Sequence, residues 1–201
     1  MNSHLQPTEA NMIFQHVGKF ISLTTDEQFF FESLLSRRDY SKRQVILGIG
    51  DACRFQNFVL LGSLKVYYLD EQGEEHIAKF AMENWWAFDI QSFFESSPSY
   101  YGIRCLEDTT VLQLSQQAYE TLLARIPSFE KFYRLMLQQS FIALQHRITQ
   151  SQSLTAVEKY VQFQEKYPGL ESRISQKNIA AYLGITPVFL SMIRKHEIKK
   201  H

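Results

Sequence analysis

The sequence predicts an α+β protein: a small antiparallel β unit, then one long helix, then a pair of short helices near the C-terminal end. Three observations predict it. Residues 40–81 are rich in Val, Ile, Phe and Tyr. They are broken at short, fairly even spacing by Gly48, Gly50-Asp51, Gly62-Ser63 and Asp70-Glu71-Gln72-Gly73, which is the pattern of a sandwich or barrel. SFEKFYRLMLQQSFIALQHRITQSQS runs on without Gly or Pro. SQKNIAAYLGITPVFLSMIRK, at 175–195, reads as two helical patterns that meet at Gly184. The chain therefore divides into 1–127, 128–153 and 154–201.

In chain order, Thr24 and Glu27 form a capping box that opens a helix. That helix is expected to fade at Arg37-Arg38-Asp39. The clearest hairpin is DEQG between VYYL and HIAKF, because Gly73 can take positive φ. WWAFDIQSFFESSPSYY predicts a short helix and an irregular loop. A second strand pair, 101–106 and 110–114, is expected to join at Glu107-Asp108. Ser115 caps QQAYETLLARI, and Pro127 stops it. The long helix carries one apolar stripe of Tyr133, Leu137, Phe141, Leu144 and Ile148, and another of Phe129, Phe132, Met136 and Ala143. Two stripes need two surfaces to bury against. One is the β unit, and the expected second is the same helix of another copy. Thr155 and Glu158 form another capping box, opening a helix that ends near Tyr167-Pro168-Gly169.

Composition narrows the function classes. At 45% hydrophobic residues the chain can bury a core, which excludes a disordered protein. The formal net charge is zero, but residues 171–201 hold six cations against two acids, leaving the first 170 residues at −4. A basic tail on an acidic body points to contact with a polyanion through the tail. Cys53 and Cys105 stand alone, too few for a four-cysteine zinc or iron–sulfur site. The start has no signal-peptide pattern, and no run of about 18 apolar residues occurs. A cytoplasmic protein without a membrane partner is expected. GxSxG, P-loop, HExxH and GxGxxG are all absent, so no enzyme, no catalytic residue and no metal site is predicted.

The C-terminal pair has the spacing of a helix-turn-helix. Ser175 caps QKNIAAYL, and Ile179 and Leu183 form its inner face. Gly184 supplies the left-handed residue that ends it. Thr186 caps the second helix, Pro187 takes its first position, and Leu190 and Ile193 face inward. In such a motif the second helix shows its N-terminal outer face to bases in the major groove. That face is Thr186, Pro187, Val188, Ser191, Met192 and Lys195. No Arg, Asn or Gln there offers bidentate base readout, while Val188 and Met192 can meet thymine methyls. Lys177, Arg194, Lys195, Lys199 and Lys200 can hold phosphates, which fix position but read no sequence.

The order of LLGSLKVYYLDEQGEEHIAKF, the long helix and SQKNIAAYLGITPVFLSMIRK resembles the Crp/Fnr superfamily of transcription regulators, from about Ser22 to Lys195. The resemblance implies a cyclic-nucleotide-binding-like β-roll of double-stranded β-helix or jelly-roll type over 1–127. It further implies a dimerisation helix over 128–153 and a DNA-binding helix-turn-helix over 154–201. It implies a homodimer on a palindromic operator, with double-stranded DNA and RNA polymerase as partners.

Two departures matter. Members that bind cyclic nucleotides carry a Gly-Glu pair for the ribose and an Arg-Ser pair for the phosphate. In the comparable stretch here, Asp89 stands near the Glu position and Ser99 or Tyr100 at the Arg position. An anion buried without a cation is costly, so no cofactor is expected, cyclic AMP and cyclic GMP included. The comparable pocket would be lined by Trp86, Asp89, Ser99, Tyr100, Tyr101 and Arg104, and its aromatics suggest either a filled interior or an apolar ligand. Many relatives also continue into a β-hairpin wing. Here the residues read KHEIKKH, and no wing is expected. The expected function is a dimeric DNA-binding regulator. The alternative is a ligand-sensing or protein-interaction module whose helical tail no longer reads DNA.

Overall fold

The computed structural model describes residues 5–198. Local signals set the helix ends. Helix α1 (Pro7–Gly18) begins with proline at its first turn, and Glu9 Oε2 accepts from the Gln6 N–H at 3.0 Å. Its Ala10, Ile13 and Val17 recur at helical spacing and are buried. Helix α2 (Thr25–Ser33) has the Thr24–Glu27 capping box. It stops earlier than expected, because Leu35–Tyr40 forms strand β1. Residues whose local pattern extends a helix are taken up by ladder bonds to a strand some 70 residues on, with Leu35 opposite Leu114 and Tyr40 opposite Thr109.

The remaining strands are β2 (Val45–Leu47), β3 (Phe55–Leu61), β4 (Leu64–Leu69), β5 (Glu75–Ala81), β6 (Trp86–Ala87), β7 (Gly102–Cys105) and β8 (Thr109–Ser115). They form two four-stranded sheets, in the orders β1-β8-β3-β6 and β2-β7-β4-β5, with every pairing antiparallel. Strands β4 and β5 make the hairpin expected at DEQG: Gly73 has φ +80°, and Asp70 Oδ1 accepts from Gln72 and Glu74 N–H. The second expected strand pair does not exist. Strand β7 joins one sheet and β8 the other, so Glu107-Asp108 is a corner between layers. Asp108 Oδ1 there accepts from the Lys42 N–H at 2.7 Å, and Glu107 Oε1 accepts from the Ser63 hydroxyl. Gly62 (φ +92°) turns β3 into β4 so close to this corner that a Cβ would come within 2.5 Å of the Asp108 carbonyl oxygen.

Helix α3 (Ile90–Glu95) follows β6, and α4 (Gln116–Arg125) is capped by Ser115 Oγ at the Ala118 N–H. Helix α5 covers Ser128–Ser153. One core joins both sheets to α1, α2, α4 and the first turns of α5. The Phe129 ring packs tilted against Phe31 at 4.8 Å and Phe132 meets Phe20 edge-on at 5.5 Å. Each such buried ring contributes about 1.5–3 kcal/mol.

Helix α6 (Ala156–Lys166) opens with the Thr155–Glu158 capping box. A 3-10 turn at Leu170–Ser172, α7 (Gln176–Leu183) and α8 (Pro187–Ile198) complete the described chain. These elements share a second core with the outer face of the β4–β5 sheet, where Tyr67, Ile77 and Phe80 meet Tyr160, Phe163, Tyr167, Ile179 and Leu190. Phe80 is fully buried, with Tyr167 edge-on at 5.4 Å and the Tyr182 ring at 5.3 Å.

Candidate functional site

The α7–α8 pair is built from the caps read in the sequence. Ser175 Oγ accepts from the Asn178 N–H, Gly184 sits at φ +69°, and Thr186 Oγ1 accepts from the Phe189 N–H at 3.2 Å. Ile179, Leu183, Leu190 and Ile193 are buried between the two helices. The outer face of α8 is open. Thr186 and Pro187 are exposed, Val188 is 72% and Met192 56% exposed, and Lys195 is exposed, while Ser191 is half-buried. Phe189, 42% exposed, lies on the same open face. Sequence reading passed over it, although three residues after the cap is the position that begins the outer stripe.

The cations divide. Lys177 and Lys195 are exposed. Arg194 is committed to Glu171 at 2.8 Å, and Glu171 also accepts from the Tyr160 hydroxyl. Arg173, one of the six tail cations, bridges Glu83 and Glu107 with Nη2–O distances of 2.6 and 2.7 Å. Those bonds raise the guanidinium further above its ordinary value. Burial works to raise the Glu83 carboxyl, but the Arg173 and Gly62 hydrogen bonds outweigh it and hold the group below the usual carboxylate range. Part of the tail's charge thus fastens the C-terminal helices to the β sheet. Lys199 lies outside the described residues.

On α5 the expected stripe splits. The Tyr133 ring is buried in its own chain's core, and its hydroxyl donates to Gln56 Oε1 at 3.0 Å. Met136 packs against the same core. Tyr133 is therefore not free to meet a second chain, a correction set by its burial and its bond to Gln56 of β3, while Met136 stays half-buried. Leu137 is half-buried, and Phe141, Leu144 and Ile148 are 60%, 53% and 52% exposed. Their spacing of 4, 3 and 4 is that of a coiled-coil seam.

The residues expected around a ligand pocket are only partly together. Asp89 and Ser99 are both buried, and the Ser99 hydroxyl donates to Asp89 Oδ2 at 2.6 Å. The other Asp89 oxygen caps α3 at Gln91 and Ser92. Trp86 is buried, its ring 5.2 Å from Phe58. Tyr101 is half-buried, and burial followed by the nearby Asp89 charge raises its phenol. Tyr100 is instead on the surface, 60% exposed and stacked on Tyr68. Arg104 points out of the roll: Nη1 reaches Glu75 at 3.3 Å and Nη2 donates to the Tyr67 hydroxyl at 2.8 Å. Strand alternation decides it, since the flanking Ile103 and Cys105 face inward into the core. Burial pushes the Cys105 thiol up to about 11. No group of three metal-ligating side chains occurs among the described residues, and no helix there is long and apolar enough to cross a membrane.

Residues 37–126 match the family model of the cyclic nucleotide-binding domain. No curated protein matches the sequence. Among solved structures, the chain is similar to the c-di-GMP-responsive global regulator CLP of Xanthomonas campestris. That match has a TM-score of 0.70 at 14% identity and covers 88% of this chain and 93% of that one. FixK2 of Bradyrhizobium japonicum gives 0.69 at 16% identity over 83% and 85%. A mutant of CooA from Carboxydothermus hydrogenoformans gives 0.68 at 18% over 93% and 84%. At such identities the likeness is one of fold. Residues 37–126 thus match the cyclic nucleotide-binding domain, and the chain shares its fold with these solved structures.

Proposed function

We propose that this chain is a sequence-specific DNA-binding transcription regulator that acts as a homodimer on a two-fold symmetric site. The observation that carries the reading is the open N-terminal face of α8, held on α7 by a fixed turn at Gly184. Helices presented in this way fit the major groove. The exposed Phe141, Leu144 and Ile148 seam supports pairing of two copies, which would present the face twice. Lys177 and Lys195 hold backbone phosphates, while Val188, Phe189 and Met192 contact thymine methyls and groove walls. Sequence preference then comes largely from half-site spacing and DNA shape.

Asp89 and Ser99, which stand near the ribose and phosphate positions of the resembled family, bond to each other. This supports a sensor interior closed by its own side chains and a regulator indifferent to cyclic AMP. Calorimetry with cyclic AMP should show no heat, and a saturating signal would overturn this part of the reading.

Selection of bound sequences from random duplex DNA tests the main reading. It should return two-fold symmetric sites. Lys177 and Lys195, the exposed lysines of the α7–α8 pair among the described residues, by themselves predict a log–log salt slope of about −3.6 for the dimer. Lys195→Glu should abolish binding while leaving the dimer intact. A second reading draws on Val188, Phe189 and Met192, an apolar face that also suits a protein partner. A flat salt response with no enriched sequence would favour that reading.

A further inference from the structure

The surface that α8 shows to solvent is apolar and cationic. Val188, Phe189 and Met192 are exposed, and exposed Lys195 continues the same stripe one turn further on. No Asp or Glu occurs anywhere between Ser175 and Lys195. Exposed apolar side chains that adjoin one another and carry a charged rim mark interaction surfaces.

A second surface has the complementary character. Helices α1 and α2 enclose a groove of about 340 Å³. Pro7, Ala10 and Phe14 line it from α1, and Thr25, Phe29 and Glu32 from α2. Each set recurs every three or four residues, so each is one face of its helix. Buried Ala10 closes the floor, and Phe14 packs on the buried Phe31 with ring centres 6.3 Å apart. The rim is open. Phe29 is 67% exposed, second only to Val188 among the large apolar side chains of the described residues. The rim is also acidic. Residues 5–34 hold Glu9, Asp26, Glu27 and Glu32 against Lys19. His16 adds no charge to this surface, because its ring faces inward among Phe20, Phe58 and Phe132. Glu9 is paired with Arg37. Among the described residues Asp26, Glu27 and Glu32 have no cation within salt-bridge distance.

The two surfaces match in charge and in apolar content. An amphipathic helix lays its apolar face into a groove through anchors spaced three, four and seven residues apart. Val188, Phe189, Met192 and Lys195 have that spacing. Within one chain the two surfaces lie on different sheets. Helix α1 rests on β3, where His16 meets Phe58 edge-on at 5.2 Å. Helices α7 and α8 pack on the β4–β5 sheet through Ile179, Leu190 and Phe80.

We propose that the α1–α2 groove receives the α8 face of a second copy of this chain. Val188 and Met192 pack beside Phe29, and Lys195 faces the Asp26–Glu32 rim. Each copy carries one groove and one α8, so two copies can join reciprocally. A docked α8 is covered and cannot enter a major groove. The contact stands on the two surfaces alone. Its consequence, that unbound protein hides its own DNA-facing surface, rests on the function proposed above.

The test uses the full chain carrying Phe141→Glu and Leu144→Glu, which removes any pairing through α5. Sedimentation equilibrium at about 50 mM salt should show reversible self-association with a Kd on the order of 100 μM. Raising the salt to about 0.5 M should weaken it severalfold. In that background Phe29→Asp and Val188→Asp should each weaken association by about tenfold or more. Mixing the two should restore it to within about threefold of the parent, because one keeps its α8 and the other keeps its groove. A duplex bound by α8 should disperse the assembly. Association that persists while no duplex binds would support the contact and count against the DNA reading. Four outcomes would overturn the proposal: no association up to about 1 mM, equal association in the parent and both variants with normal circular dichroism, a mixture no tighter than either variant alone, or a duplex that binds without dispersing the assembly. The first would assign the groove to a different partner.

Discussion

Replacing Arg173 by Met keeps an apolar stem and deletes the charge that joins the C-terminal helices to the sheet. Four nitrogen–oxygen contacts go with it: 3.1 and 2.6 Å to Glu83, and 3.1 and 2.7 Å to Glu107. All three side chains are about 30% exposed. Exposed ion pairs are worth roughly 0–1 kcal/mol, and breaking a buried one costs about 3–5 kcal/mol. These groups fall between, so the expected loss is about 2 kcal/mol. The carboxylates cannot simply swing away, because Glu83 also accepts from the Gly62 N–H at 2.9 Å and Glu107 from the Ser63 hydroxyl. They stay close, charged and unpaired. Changing Glu83 and Glu107 to Gln in the Arg173→Met background should therefore recover most of the loss.

Urea unfolding followed by far-ultraviolet circular dichroism at pH 7 measures both variants. The pH dependence has a definite sign. Glu83 is held below its ordinary value of 4.5 in the folded chain, so its contribution is complete above that value and fades as pH falls through the lower folded one. The wild-type advantage over Arg173→Met should shrink below pH 4.5. A loss under about 0.5 kcal/mol at pH 7, or no recovery in the triple variant, would refute the reasoning.

Three more outcomes are expected. Gly184→Ala should cost about 1 kcal/mol in the same assay, because nothing lies within 4 Å of the added Cβ and only the left-handed backbone resists; an unchanged midpoint would mean the turn relaxes freely. Among the described residues both His16 ring nitrogens are buried without partners, and burial followed by the nearby Lys19 charge lowers it to about 4. Between pH 6.5 and 4 the unfolded chain gains a proton that the folded chain refuses, so stability should fall with acid by up to about 3 kcal/mol, and His16→Leu should flatten that slope. Phe141→Glu with Leu144→Glu should shift the sedimentation coefficient from dimer to monomer without changing the Tm by more than a few degrees, since both side chains are more than half exposed.

What could be read from sequence was chemistry settled within one turn of chain. The caps at Thr24, Ser115, Thr155, Ser175 and Thr186 and the left-handed Gly184 all form as spaced. What could not be read depends on distant neighbours. Leu35–Tyr40 becomes a strand only because β8 lies beside it. Strands β7 and β8 look like a hairpin in sequence, but each finds stronger partners in a different sheet. Arg104 and Tyr100 were candidates for a pocket by nearness in sequence, and strand alternation and Tyr68 carry them to the outside. Arg173 and Arg194 count as positive charge in the sequence, yet their acids come from other elements, so the exposed cationic surface is smaller than the composition suggests.

Helix α5 is clamped by its aromatic rings at one end and held more lightly at the other, where Arg147 Nη2 donates to the Ile77 carbonyl. Phe129, Phe132 and Tyr133 are locked into the roll, while about 20 residues beyond them run to Ser153. At 1.5 Å per residue that length is about 30 Å. It acts as a lever: a tilt of about 5° at Phe132 would swing the far end by roughly 2.6 Å. The aromatic clamp would be the fulcrum, so a small repacking around it would be felt, magnified, where the C-terminal helices begin.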